Sequence, residues 1–174
     1  MRKLLIFTDI GDTIIDESTE QYDASGTIVL QAECIPGAEQ MLHALHEEGF
    51  RICMVADGMV RSFHNTMNQH HLSDVFNGWI ISEHVGEDKP SPAMFQRAMD
   101  VMGLRACDKH RVIMVGNNLS RDIYGGNAFG IRTVYIDWSP RRSHTPANAL
   151  EEPTYRIHEP GELNAPVEKL ESEL

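Results

Sequence analysis

At 174 residues the chain is long enough for one substantial core and short for two, and its 41% hydrophobic and 24% charged content are ordinary for a globular protein. Its 26 acidic and 15 basic residues leave a formal charge of −11, which disfavours non-specific attraction to nucleic acid or an anionic membrane and suits a divalent cation held among carboxylates. No apolar run approaches the roughly 20 residues of a membrane span.

The chain opens on Lys3-Leu4-Leu5-Ile6-Phe7, a short continuous apolar run that stops at Asp9. Such a run reads as a central strand buried on both faces, and it lacks the pattern of a secretory leader because Asp9 interrupts it. Asp16 to Gly26 reads as a polar, exposed turn. Thr27 to Leu30 is β-prone, half of a small hairpin or flap within residues 16–35. Pro36-Gly37 opens a helix carrying Met41, Leu42 and Leu45, which Gly49 ends. Phe50 to Val55 is a second core strand, running into Ala56-Asp57-Gly58. A helix over Val60 to His70 follows, with Phe63 and Met67 on one face, and its His64 and His70 with the adjoining His71 read as a polar surface. Val75 to Ile81 contains a third strand, and Pro90-Ser91-Pro92 opens a helix to about Met102. Arg111 to Val115 and Ile131 to Ile136 are further strands; Tyr155 to Ile157 and a terminal helix complete the pattern. Cys34, Cys53 and Cys107 show no paired-cysteine metal spacing, and nothing in them requires an oxidising compartment, so a cytoplasmic location is expected.

Strand–helix alternation of this kind predicts a single three-layer, Rossmann-like α/β domain over residues 1–174, with a central parallel sheet of about five strands. Parallel strands share one C-terminal edge, so Asp9, Lys89, Asn117 and Asp122 are expected to converge there. A carboxylate facing a fixed ammonium, beside an amide and a second carboxylate, suits magnesium and a phosphoryl group. Asp9, held in line with a phosphate ester, has the chemistry of a nucleophile forming an aspartyl phosphate. The N–H groups after Asp9 and Ala56 would cradle the anion, and Thr13 bonds the first loop to itself. Arg141, Arg142 and His144, in the proline-rich stretch Trp138 to Thr154, read as a solvated loop.

These residues resemble the haloacid dehalogenase-like superfamily, most of whose members are magnesium-dependent phosphohydrolases. The family's D-x-D-x-T stands here as D-I-G-D-T at Asp9–Thr13, its Ser/Thr motif as Ala56-Asp57-Gly58, its lysine motif as D-K-P-S-P-A-M-F at Asp88–Phe95, and its G-D-x-x-x-x-D-I as G-N-N-L-S-R-D-I at Gly116–Ile123. The resemblance implies Asp9 as nucleophile and Lys89 as its cationic partner. It implies Asp9, the Gly11 carbonyl and Asn117 as ligands of Mg2+. Ala56, Asp57 and Lys89 fall at the phosphate, with Thr13, Asn118 and Asp122 in support. Gly11 removes the family's acid–base aspartate, Ala56 a hydroxyl donor and Asn117 a ligand charge. Asp12 is no simple replacement for the missing acid, because neighbouring residues at a strand end point in opposite directions. About forty residues separate the first two motifs and about thirty the next two, too few for a large cap. The expected activity is phosphomonoester hydrolysis on a phosphorylated substrate, the alternative a catalytically impaired relative that binds a phosphorylated ligand or a protein. The site is expected to be open unless residues 16–35 or a neighbouring copy of the chain cover it.

Overall fold

The computed structural model describes residues 2–174. β1 (Leu5–Thr8) pairs parallel on both sides, Ile6 lying opposite Ile52 on one flank and Ile113 on the other. A strand so placed has no solvent face, and all four of its residues are buried. β2 (Gln21–Tyr22) and β3 (Val29–Gln31) form a separate antiparallel hairpin. The chain continues through α1 (Ala38–Glu47), β4 (Arg51–Ala56), α2 (Val60–Gln69), β5 (Phe76–Ile81), α3 (Ser82–Val85) and α4 (Pro92–Val101). It ends with β6 (Val112–Gly116), α5 (Tyr124–Phe129), β7 (Arg132–Ile136), β8 (Tyr155–Ile157) and α6 (Asn164–Ser172).

The main sheet runs β5-β4-β1-β6-β7-β8, all parallel. It has six strands rather than about five because the late Tyr155–Ile157 run joins the edge at β7, where the Asp137 N–H also reaches the Ile157 carbonyl. Alternation along the strands divides most of the apolar residues between two cores, with Tyr135 in a smaller cluster beside Leu119 and Ile123. Leu4, Ile6, Ile52, Met54 and Ile113 pack with Leu42, Met67 and Val167 of α1, α2 and α6. Leu5, Phe7, Cys53, Val55 and Met114 pack with Met94, Phe95, Ala98 and Met99 of α4. Each such side chain contributes roughly 1.5–3 kcal/mol on full burial, so two-sided packing holds β1 and with it the position of Asp9.

The hairpin lies on α2. Ser62 Oγ accepts from the Val29 N–H at 3.0 Å, Asn65 Nδ2 donates to the Val29 carbonyl at 2.8 Å, and Gln69 Oε1 accepts from the Ala32 N–H at 3.0 Å. His70 is part of this seat and not a polar surface residue: its Nε2 meets the Ala32 carbonyl at 2.7 Å while Nδ1 pairs with Glu39. His64 stacks on Trp79 with ring centroids 4.8 Å apart. Among the described residues no helix is long and apolar enough to cross a membrane.

Candidate active site

The C-terminal ends of β1, β4 and β6 meet at one cleft of about 300 Å³, lined by Asp9, Gly11, Asp57, Lys89, Asn117 and Asp122 among others. Asp9 directly follows β1, its N–H donating to the Val115 carbonyl at 2.9 Å and so extending the β1–β6 ladder by one rung. Lys89 reaches in from the turn before α4 and is buried. Its Nζ donates to Asp9 Oδ1 at 2.7 Å and to the Val55 carbonyl at 2.6 Å, and pairs with Asp122 Oδ1 at 2.8 Å. An ammonium has three protons, and these contacts use all of them. Burial alone would lower the Lys89 pKa; Asp122, Asp9 and Asp57 outweigh it and hold the lysine above its usual range. Among the described residues Asp9 Oδ2 has only the Thr13 hydroxyl, 3.5 Å away, which leaves it the less committed oxygen of the carboxylate.

The neighbouring residues hold this pair in place. Asp122 Oδ2 accepts from the Asn118 N–H at 3.0 Å, and Asn118 Oδ1 caps the following π-helical turn (Leu119–Ile123) by accepting from the Ser120 N–H. Burial raises the Asp122 carboxyl, while Lys89 and that N–H pull the other way. A Cβ at Gly116 would overlap the Asp122 carboxylate, so the glycine makes room for it. Asp57 faces the cleft but accepts from the Lys89 N–H at 2.9 Å and from Arg121 Nη1 at 3.1 Å. It braces the lysine turn and, as an acceptor, cannot stand in for the hydroxyl donor missing at Ala56. The Gly58 N–H is spent on Ser82 Oγ. Asn117 is buried, and among the described residues its Nδ2 is a buried side-chain nitrogen without a hydrogen-bond partner. A buried nitrogen of this kind costs about 1–3 kcal/mol unless a bound water or ligand meets it.

The loop after Asp9 differs most from the expectation. Asp12 is fully buried at φ 53° and turns away from the cleft. Arg141 grips both of its oxygens, with Nε to Oδ2 at 2.8 Å; Ser139 Oγ adds a bond at 2.9 Å. Arg141 stays exposed, as a solvated loop predicts, yet it is also tied to the structure of the first loop. His144 sits under Tyr135, its Nδ1 3.0 Å from the phenol oxygen. Asp12 Oδ1 in turn accepts from the Glu17 N–H at 3.1 Å. Glu17, read from the sequence as part of an exposed turn, lines the cleft beside Gly11, and Arg142 Nη2 lies 3.9 Å from its carboxylate. Burial pushes the Glu17 carboxyl up to about 7, Asp12 adding to the rise and Arg142 opposing it. The one trace of this arrangement in the sequence is the side-chain-free position at Gly11. Tyr22, Thr27 and Val29 of the hairpin supply one wall of the cleft.

A family model described as haloacid dehalogenase-like hydrolase matches residues 6–136. The chain is 32% identical over 104 residues to a glyceraldehyde 3-phosphate phosphatase of Pyrococcus abyssi, covering 60% of this chain and 42% of that one. It is 27% identical over 129 residues to a pyrimidine 5'-nucleotidase of Streptococcus pneumoniae, covering 74% and 52%. The chain thus spans about half the length of the curated relatives it matches. A HAD phosphatase from Thermococcus onnurineus shares its fold with TM-score 0.75 at 17% identity, over 94% of this chain and 97% of that one. The putative HAD-hydrolase YfnB from Bacillus subtilis, solved with magnesium, does so with TM-score 0.75 at 16% identity, over 97% and 100%. A family match running from β1 to the end of β7, on a sheet whose strand ends carry the motif residues, means that the chain belongs to the haloacid dehalogenase-like hydrolases.

Proposed function

We propose that the chain is a magnesium-dependent phosphomonoester hydrolase with Asp9 as nucleophile. The observation that carries this reading is the bond from the buried Lys89 ammonium to Asp9 Oδ1 at the end of β1, which leaves Oδ2 clear of the ammonium. Attack on phosphorus by Oδ2 forms an aspartyl phosphate and releases the alcohol; water then hydrolyses the acyl phosphate and restores the carboxylate. Lys89 orients the attacking group and offsets its charge as it nears an anionic ester.

The residues present fit a hard, oxygen-binding cation. Asp9, Gly11 and Asn117 line one cleft, where a carboxylate, a backbone carbonyl and a side-chain amide would each supply an oxygen ligand. Magnesium held by these residues would supply further positive charge against the repulsion of two anions. One carboxylate in place of two makes the expected affinity lower than in relatives with aspartate at position 117. Phosphatases acting on small phosphate esters among the relatives, and a cleft of about 300 Å³, support a small phosphorylated substrate.

The test is phosphate release from a panel of monoesters with and without Mg2+, comparing the chain with Asp9→Asn. Magnesium-dependent release that Asp9→Asn lowers by at least about 10³-fold is expected. Equal release by both proteins rules the reading out. A second reading, an impaired relative that binds phosphorylated ligands, is favoured by the missing donor at Ala56 and the neutral Asn117. It predicts no turnover in the same assay, with phosphate raising the melting temperature.

A further inference from the structure

The family's acid–base carboxylate is absent at position 11, yet the space beside Gly11 is filled. A Cβ placed there would overlap Glu17 Oε1 and lie 3.0 Å from its Cδ, so the Glu17 carboxylate sits where any side chain at position 11 would begin. We propose that Glu17, entering from the hairpin side, is the group that protonates the leaving alcohol and activates water in the second step. This inference rests on the phosphohydrolase reading of Asp9.

Position assigns the role. Glu17 lines the same cleft as Asp9, Lys89 and Asn117. Its backbone is tied by the Glu17 N–H to buried Asp12, which Arg141 and Ser139 hold in turn. Asp16 closes the short turn Glu17–Thr19 by accepting from the Ser18 N–H at 2.9 Å, so Glu17 is held at both its ends. A residue serving only solubility needs no such anchoring, and a glycine at position 11 is what admits it. In the first step Asp9 Oδ2 bonds to phosphorus as the phosphorus–oxygen bond to the leaving group breaks. That oxygen keeps the electron pair and takes the proton of the Glu17 carboxyl. In the second, Glu17 takes a proton from water as the water oxygen bonds to phosphorus, the phosphorus–Asp9 bond breaks, and the pair returns to Asp9. The net change is ester plus water to alcohol plus phosphate, with both carboxyl groups restored.

A group that protonates a leaving group matters most where the leaving group is poor, and such assistance is commonly worth about 10²–10⁴-fold. The experiment compares an alkyl phosphate, glycerol phosphate, with p-nitrophenyl phosphate, whose phenolate leaves without a proton. The proteins are the unaltered chain, Glu17→Gln, the double variant Gly11→Asp/Glu17→Ala and Asp9→Asn, each verified as folded by circular dichroism and all assayed with Mg2+. Glu17→Gln is expected to lower kcat/KM for glycerol phosphate by about 10²-fold or more and for p-nitrophenyl phosphate by less than about 10-fold. The double variant, which moves the carboxylate back to position 11, is expected to regain at least about 10-fold on glycerol phosphate. Equal losses on the two esters, no loss on either, or no recovery in the double variant would each overturn the role of Glu17. If those results appear while Asp9→Asn is inactive, Glu17 alone is misassigned. If Asp9→Asn hydrolyses both esters like the unaltered chain, the phosphohydrolase reading itself falls.

Discussion

Lys89 sits where three carboxylates and a carbonyl would otherwise face one another. Its Nζ is within 2.8 Å of Asp9, Asp122 and the Val55 oxygen, and Asp57 holds its backbone N–H. Desolvating a cation costs several kcal/mol, which only acceptors at this range repay. Removing it as Lys89→Met strands Asp9 and Asp122 without a counter-charge, at an expected loss of about 3–5 kcal/mol in stability. Combining it with Asp122→Asn takes away one of the stranded charges, so the double variant should be at least about 1 kcal/mol more stable than the sum of the single losses predicts. Urea unfolding of the three variants measures this; additive losses would mean that Lys89 and Asp122 are not coupled. The same residues show why Asp57 does not replace the missing hydroxyl. Its two oxygens are already accepting, and an anion there repels a phosphate that a hydroxyl would bind.

Two elements bring the lysine and the cleft wall into place. α4 begins with Ser91 as its cap, the side chain accepting from the Ala93 N–H at 3.2 Å, and with Pro92 in its first turn. It buries Phe95 against Phe7's core, and α5 closes over it: a Cβ at Gly125 would stand 2.6 Å from Phe95 and 3.1 Å from the Pro90 Cα. Pro90 adjoins Lys89, so this close approach sets how far the lysine turn lies from the sheet. Gly125→Ala is therefore expected to destabilise by about 1–3 kcal/mol and to lower kcat more than a change of similar stability cost in α6, remote from the turn. Thermal unfolding together with ester hydrolysis tests it; an unchanged melting temperature would contradict the packing described. On the opposite wall the hairpin is held by hydrogen bonds to α2 and not by the main sheet. That leaves its two strands as a wall of the cleft anchored in the core through Val29, while Tyr22 and Leu30 stay about half exposed.

Over the whole molecule, what was legible in the sequence follows from burial and topology. Strands covered on both faces must be continuous apolar runs, so β1, β4 and β6 announced themselves, and parallel pairing requires their polar exits to share an edge. Asp9, Lys89, Asn117 and Asp122 meet there for that reason. The first loop was not legible. Glu17 and Arg141 act through the course of loops, which carry no periodicity, and through a volume left empty at Gly11, which becomes a feature only when another side chain fills it. Arg141 reads as one more exposed loop cation until its partner, the buried Asp12 three residues after Asp9, is seen to need a counter-charge.

The proposed phosphoryl transfer requires a covalent bond between phosphorus and one carboxylate. Acid quenching during turnover of a phosphate monoester with Mg2+, followed by mass spectrometry of proteolytic peptides, looks for that bond directly. A phosphoryl group on the peptide carrying Asp9, present during turnover and gone once substrate is exhausted, is the predicted result. Steady turnover with that peptide unmodified throughout, or with the phosphoryl group on another residue, would contradict it.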